Sequence, residues 1–403
     1  MTRSVLFHVQ HLLGIGHLQR TLRIAEALAR NGLAVTLVSG GMPVALPRDP
    51  AIRFVQLTPV RALDARFELV DGAGRPIDDS LREERRAALL AAFAMARPDA
   101  VIIEGYPFAR RAFRFELEPL IESVRRARPR PRLICSVRDI VVMRDDPQRH
   151  RDIAKQVRRD FDAVLVHGDP TVIPFEASFP AAPEIADRVI YTGYVYPRLE
   201  TIDTAVMPGG GEVVVSAGGG AAGYGLLEAA LAARRSGCLA GLPWRLITGT
   251  NLPESDFATL CAQAPAGVAI ERFCYNFVGL LHGCRVSVSQ AGYNTVLDVL
   301  AARVRAVLVP FAAERETEQL VRAERLATLG AVELVREPEL SPRSLAAAIE
   351  RAASREPARL AIDTGGAAHS ARSVAAMIRL AECSAGRPGE AFVAGASQGI
   401  IRR

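Results

Sequence analysis

Lysine is almost missing from this chain. Of the 50 basic residues among 403, a single one, Lys155, is lysine, so the positive charge is carried by arginine. The formal charge is +6 and the pI about 9.2. That balance suits an anionic partner, a phosphorylated ligand or an acidic membrane surface. Aromatic residues make up only 6% and tryptophan occurs once. With no interleaving of aromatic and basic residues and no recognition-module signature, nucleic acid is not an expected partner. The six cysteines (Cys135, Cys238, Cys261, Cys274, Cys284, Cys383) include no C-x-x-C pair, which points to buried free thiols and away from a zinc site. No apolar run reaches the roughly 18 residues of a membrane span. The chain enters a strand after Ser4 without a charged n-region and apolar h-region, so a cytoplasmic location is expected. No Gly-Lys-Ser/Thr follows any glycine-rich turn, which excludes a Walker A loop, and Gly14–Gly16 is too short for a dinucleotide fingerprint.

What is present is alternation. Short apolar runs at Val5–Val9, Ala34–Val38, Ile52–Val55, Ala100–Ile103, Leu133–Val137 and Ala163–Val166 are separated by helix-period stretches, among them His17–Arg30, Leu81–Ala96, Phe108–Arg128 and Arg149–Asp160. Strands that read as continuous apolar runs between helices predict a parallel sheet covered on both faces. After a turn-rich stretch the alternation restarts at Glu212. The expected class is therefore α/β, with two facing, doubly wound Rossmann-like domains and a cleft between them. Residues 1–195 form the first domain, 196–211 a linker and 212–368 the second domain. Residues 369–403 hold a helix able to cross back to the first domain, and a frayed tail.

Four places carry the chemistry. In "HVQHLLGIGHLQR", Gly14 and Gly16 allow the backbone to pass close to a ligand, and His17 opens a helix whose dipole opposes the imidazolium. A neutral imidazole there is a candidate general base. Glu104, ending the strand "DAVIIE", is the candidate orienting carboxylate, and Asp139 the weaker one. Arg138 either faces an anionic ligand or pairs with Asp139. The second place is "SAGGGAAG", where Gly218, Gly219 and Gly220 let backbone N–H groups approach a diphosphate at a helix start. The third is "SQAGYNTVLD", in which Gln290, Ala291, Gly292 and Asn294 form a strand-to-helix turn and Asp298 is placed to take ribose hydroxyls. Downstream, Glu318 and Gln319 offer acceptors and donors for sugar hydroxyls. The fourth is Arg198 at the domain junction, facing a diphosphate or else solvent.

Asp160-Phe161-Asp162 matches the D-x-D spacing that holds a metal in some sugar-transferring enzymes. It precedes its strand, on the edge away from the strand C-termini, so it reads as solvated and no metal site is expected. Arg61–Ser80 lacks periodicity and is assigned to the acceptor wall. The basic helix within Phe108–Arg128 reads as a solvated face or as one resting on an acidic membrane surface.

In order along nearly the whole chain, these motifs resemble glycosyltransferases of the GT-B fold, among them the N-acetylglucosaminyltransferases that make lipid II and the small-molecule UDP-glycosyltransferases. The resemblance implies a histidine base that activates the acceptor, a diphosphate loop at "SAGGGAAG", a ribose acid at Asp298 and a donor-sugar loop at "ERETEQ". It also implies that the backbone around Phe273 holds the nucleotide base. The tryptophan-led signature of the plant enzymes is absent. The implied activity is metal-independent, inverting transfer from a nucleotide-diphosphate sugar, UDP-linked, to an acceptor the sequence does not identify, without a cofactor, by a protein in the cytoplasm or peripheral to the inner membrane face. "GIGHLQR" is also similar to the G-x-G-H-x-x-R of UDP-sugar hydrolases of pseudaminic acid synthesis. Hydrolysis, and a non-catalytic nucleotide-sugar binder, are the alternatives.

Overall fold

The computed structural model describes residues 2–12, 15–45, 49–63, 68–141, 146–197, 210–219, 223–311, 317–357, 360 and 362–385. Gly14, Arg198, Gly220 and most of the 196–211 linker lie outside the described residues.

The first domain contains strands β1 (Ser4–Val9), β2 (Ala34–Ser39), β3 (Ile52–Gln56), β4 (Val60–Ala62), β5 (Leu69–Asp71), β6 (Ala100–Glu104), β7 (Arg132–Arg138), β8 (Ala163–His167) and β9 (Val189–Tyr191). Its helices are α1 (Gly16–Arg30), α2 (Asp79–Ala96), α3 (Arg114–Arg126) and α4 (Pro147–Asp160). Seven strands form a parallel sheet in the order β3-β2-β1-β6-β7-β8-β9. The strands are the apolar, β-branched runs expected, and β1, β6 and β8 are buried nearly end to end. Helix starts follow their caps: the Asp78 carboxylate accepts from Leu81 N–H, and Asp146 accepts from Arg149 N–H with Pro147 in the first turn.

The second domain contains β10 (Val213–Ser216), β11 (Trp244–Ile247), β12 (Val268–Glu271), β13 (Val286–Ser289), β14 (Ala306–Leu308) and β15 (Glu333–Leu334), in the parallel order β12-β11-β10-β13-β14-β15. It is covered by α5 (Tyr224–Arg235), α6 (Glu254–Gln263), α7 (Phe277–Gly283), α8 (Tyr293–Ala302), α9 (Glu318–Thr328) and α10 (Pro342–Ser354). A final helix, α11 (Gly366–Ala385), packs on α1, placing Ala371, Val374 and Ile378 in the core beneath β1 and β2. It enters tightly. A Cβ on Gly366 would fall 2.4 Å from the Gly193 carbonyl oxygen, so only glycine fits there.

Both sheets reverse their winding at one place, between β1 and β6 in the first and between β10 and β13 in the second. Open α/β sheets leave a crevice at the strand C-termini at such a switch point. The two crevices face each other, because an apolar cluster joins the domains. Ile140, Val172, Tyr194 and Tyr196 pack with Val296, Leu300, Ala323 and Leu326.

Several expectations need correction. The helix expected over Phe108–Arg128 is a 3₁₀ turn, Arg111–Phe113, followed by α3, because Arg110, inside that span, takes a left-handed φ of +62° that a helix cannot continue through. Within Arg61–Ser80, where no periodicity pointed to strands, β4 and β5 pair antiparallel, with Arg61 opposite Val70. The D-x-D carboxylates are not solvated. Buried Asp160 meets Arg159 at 2.8 Å, and Asp162 accepts from Arg130, Arg132 and Leu133 N–H. Among the thiols, Cys261 is exposed.

Candidate active site

In the first crevice β1 delivers α1 and β6 delivers Glu104, and the adjacent strands bring the two together. His17, in the first turn of α1, donates from Nδ1 to Glu104 Oε1 at 2.7 Å. Arg138, at the end of β7, donates to His17 Nε2 at 2.5 Å. A guanidinium has no lone pair to give, so these two bonds assign the tautomer: Nδ1 carries the proton and Nε2 the lone pair. Burial and the Arg138 charge lower the His17 pKa to about 3, against the pull of Glu104, so the imidazole is neutral at pH 7.

Glu104 is fully enclosed. Arg20, one turn along α1, donates to its Oε1, and Arg110 stands 3.7 Å from its Oε2. Burial would raise this carboxyl, but His17, Arg110 and Arg20 outweigh it and hold the group well below the usual carboxylate range. Asp139 plays no part in orienting the base. It faces the other way, to Arg322 Nη2 at 3.0 Å.

The second crevice is built from backbone. Between β10 and α5, Gly218 takes φ +60° and Gly219 follows it. Between β13 and α8, Gly292 precedes a helix start that no side chain caps, and α5 begins at Gly223 in the same way. The free N–H groups of such helix ends favour negative charge. α1 also begins uncapped, and its start abuts that of α8: a Cβ on Gly16 would sit 3.4 Å from Asn294 Nδ2. A cavity of about 230 Å³ lies where these elements meet, lined by Gly16, Arg20 and Arg138 on one side and by Gly218, Gly219 and Gln319 on the other. Gln290, Gly292, Tyr293, Asn294 and Thr295 complete its wall, and Ala291 is buried behind it. A wider concavity, about 1020 Å³ between α3 and α4, lies away from both switch points and is lined by Arg114, Arg125 and Arg159, which pair there with Glu118, Glu122 and Asp160.

Two expected ligand-binding acids have other partners. Glu318 accepts both bonds of a fork from Arg138 Nη1, at 2.8 and 3.0 Å, and a third from Arg322 at 2.8 Å. Burial opposes its ionisation, but the two guanidinium groups hold it at about 2. Asp298, on α8, takes the Tyr196 hydroxyl at 2.8 Å and does not line the cavity; burial raises it to about 6. Gln319 uses its carbonyl oxygen to hold the backbone N–H of Ala291 and Phe311, at 3.0 and 3.2 Å. Phe273 is 65% exposed just beyond β12. Residues missed from the sequence are Arg20, Arg110, Tyr293 and Arg322. Arg20 was within reach, since it falls three residues after His17 on the same helix face.

Residues 219–377 match the model of the glycosyltransferase family 28 C-terminal domain. The chain is 28% identical over 362 residues to the UDP-N-acetylglucosamine--N-acetylmuramyl-(pentapeptide) pyrophosphoryl-undecaprenol N-acetylglucosamine transferase of Phenylobacterium zucineum, covering 86% of this chain and 88% of that one. Among solved structures, MurG of Acinetobacter baumannii superposes with a TM-score of 0.56 at 18% identity, covering 93% of this chain and all of that one. Os79 of O. sativa, in complex with UDP, gives 0.61 at 15% identity, covering 93% of this chain and all of that one. The chain is a GT-B glycosyltransferase. Its matched domain runs from the glycine loop into α11. The hydrolase and silent-binder alternatives find no support, since the family and the Phenylobacterium relative are both named for transfer. Among the described residues, no helix of this glycosyltransferase is long and apolar enough to cross a membrane.

Proposed function

We propose that this glycosyltransferase moves a sugar from a UDP-sugar to an acceptor hydroxyl in a single displacement that inverts the anomeric centre, with His17 as base. The observation that carries the reading is the bond between His17 Nδ1 and Glu104 Oε1, formed by residues from neighbouring strand ends at the switch point. Glu104 fixes the tautomer, leaving Nε2 to take the proton of the acceptor hydroxyl as its oxygen attacks the anomeric carbon. Charge then develops on the departing diphosphate. The glycine loop, the free start of α8, Arg20 and Arg138 are the groups placed to receive it. These fixed positive charges take the part a metal ion plays where D-x-D carboxylates hold one, and here those carboxylates are spent on arginines. UDP is the inferred nucleotide because the Phenylobacterium relative is named for a UDP-sugar. That relative's acceptor is lipid-linked by name, so a membrane-associated acceptor is the class to screen first.

The test measures UDP release from a panel of UDP-sugars with candidate acceptors, beside donor affinity by calorimetry. His17→Ala is expected to lower turnover by about 10²–10⁴ while donor affinity stays within a few-fold. Unchanged turnover in that variant would remove His17 from the mechanism.

A further inference from the structure

Arg138 does two things at once in this structure, and neither is binding a donor. One nitrogen covers the lone pair of His17 at 2.5 Å. The other grips Glu318 of the opposite domain through a fork at 2.8 and 3.0 Å. The base is therefore masked, and the same side chain clasps the domains across the cleft. Resting on the reading above, we propose that Arg138 is a donor-displaced latch: the diphosphate of the donor draws its guanidinium off His17 and Glu318, which uncovers the base only when a donor is present and frees Glu318 for the sugar.

Three further observations support this. The cavity between the clasped domains holds about 230 Å³, below the roughly 300–1,000 Å³ of common ligand clefts. Among the described residues, the connected cluster is short of negative charge. Arg20, Arg110, Arg138 and Arg322 are four cations against the three carboxylates Glu104, Asp139 and Glu318, beside a neutral His17. A diphosphate supplies what is lacking. Finally, the buried Nε–H groups of Arg20 and Arg138, both on residues lining the cavity, have no hydrogen-bond partner. Two donors are left waiting for an anion.

The groups facing His17 are Glu104 from β6, Arg20 on its own helix, Arg110 from the loop after β6 and Arg138 from β7. Of these, Arg138 is the one that, among the described residues, hydrogen-bonds to a carboxylate of the second domain.

The experiment uses the whole chain with UDP, which has no sugar for Glu318 to contact. Arg138→Met and Glu318→Gln each remove the same ion pair, yet the latch gives them opposite effects. Arg138→Met deletes a diphosphate ligand and should weaken UDP binding about tenfold or more. Glu318→Gln opens the clasp and should tighten it, by about five-fold or more, the low end of typical coupling between sites. In parallel, the His17 imidazole is titrated by NMR without nucleotide, where Arg138→Met should raise its protonation midpoint by about one unit or more. If both variants weaken UDP binding, or Glu318→Gln leaves it unchanged, Arg138 and Glu318 form only a structural bridge and the latch is wrong. If the midpoint does not move in Arg138→Met, the cap on His17 is wrong. If wild-type protein binds no UDP while the midpoint does move, the cap stands and it is the UDP-sugar reading that fails.

Discussion

The two crevices of this enzyme sit at equivalent places in two similar sheets and are made of different material. The crevice after β1 and β6 is side-chain chemistry: one imidazole, one carboxylate and three guanidinium groups, bonded to one another and largely closed from water. The crevice after β10 and β13 is backbone: glycines and helix starts without side-chain caps. The difference follows from what each half must do. A base needs a tuned proton affinity, which only a titratable group among placed charges supplies. A diphosphate needs many directed N–H donors close by, and a side chain would stand in the way. Substitutions in the two crevices should therefore fail in different ways.

The largest effect is expected at Glu104. Glu104→Gln keeps the shape but loses the charge that fixes the His17 tautomer and offsets Arg20 and Arg110. Turnover should fall by about 10²–10⁴, with UDP affinity changed only a few-fold. A loss confined to donor affinity would erase the division of labour between the crevices.

A smaller effect of the opposite kind is expected at Gly218. There is room for a methyl group, since the nearest atom, Gln290 Oε1, lies 3.9 Å from a Cβ built there. The penalty is conformational, because φ is +60°. An L-residue in that region costs about 1–2 kcal/mol, so Gly218→Ala should weaken UDP binding roughly tenfold and leave turnover at saturating donor nearly unchanged. If turnover falls instead, the loop acts on the leaving group beyond holding it.

The contrast also explains what could be read in advance. His17 and Glu104 were visible because each ends or follows an apolar run, and strand order in a doubly wound sheet puts such ends side by side. The glycine loop was visible for the same reason. Arg138 and Glu318 were each legible as polar residues near a strand end, but their union was not. They are 180 positions apart and meet only because the domains dock, which no periodicity encodes. The same holds for Asp298. Its place on α8, after the strand-to-helix turn, marks it as a ligand-binding acid, yet Tyr196, at the head of the linker, occupies it. Glu116 looked like one more charge on a solvated helix. It is fully buried against Arg85, which also bonds Gln10 and the Gly40 carbonyl, and residue type alone predicts exposure for such a glutamate.

The mildest test asks how the two domains answer to acid. His17 and His167 both have folded pKa values lowered to about 3, the first by burial and Arg138, the second by burial and Arg20. Their unfolded value is 6.5, so between pH 6.5 and 3 the unfolded chain binds more protons and stability must fall as pH is lowered. Glu318 adds a slope of the same sign from 4.5 down to about 2. Asp298 opposes them. Its folded value is raised from 3.8 to about 6, so over that window it binds protons on folding and makes stability fall as pH rises. Both histidines belong to the first crevice's domain, and Glu318 and Asp298 to the second. Denaturant midpoints followed from pH 8 to 4 should therefore drop with acid in the wild type. They should drop less in His17→Gln, which deletes one titrating histidine, and slightly more in Asp298→Asn, which deletes the opposing carboxyl. An acid slope that His17→Gln leaves untouched would mean that His17 titrates normally in the folded protein, and the side-chain crevice would then lack the tuned base that sets it apart from its backbone counterpart.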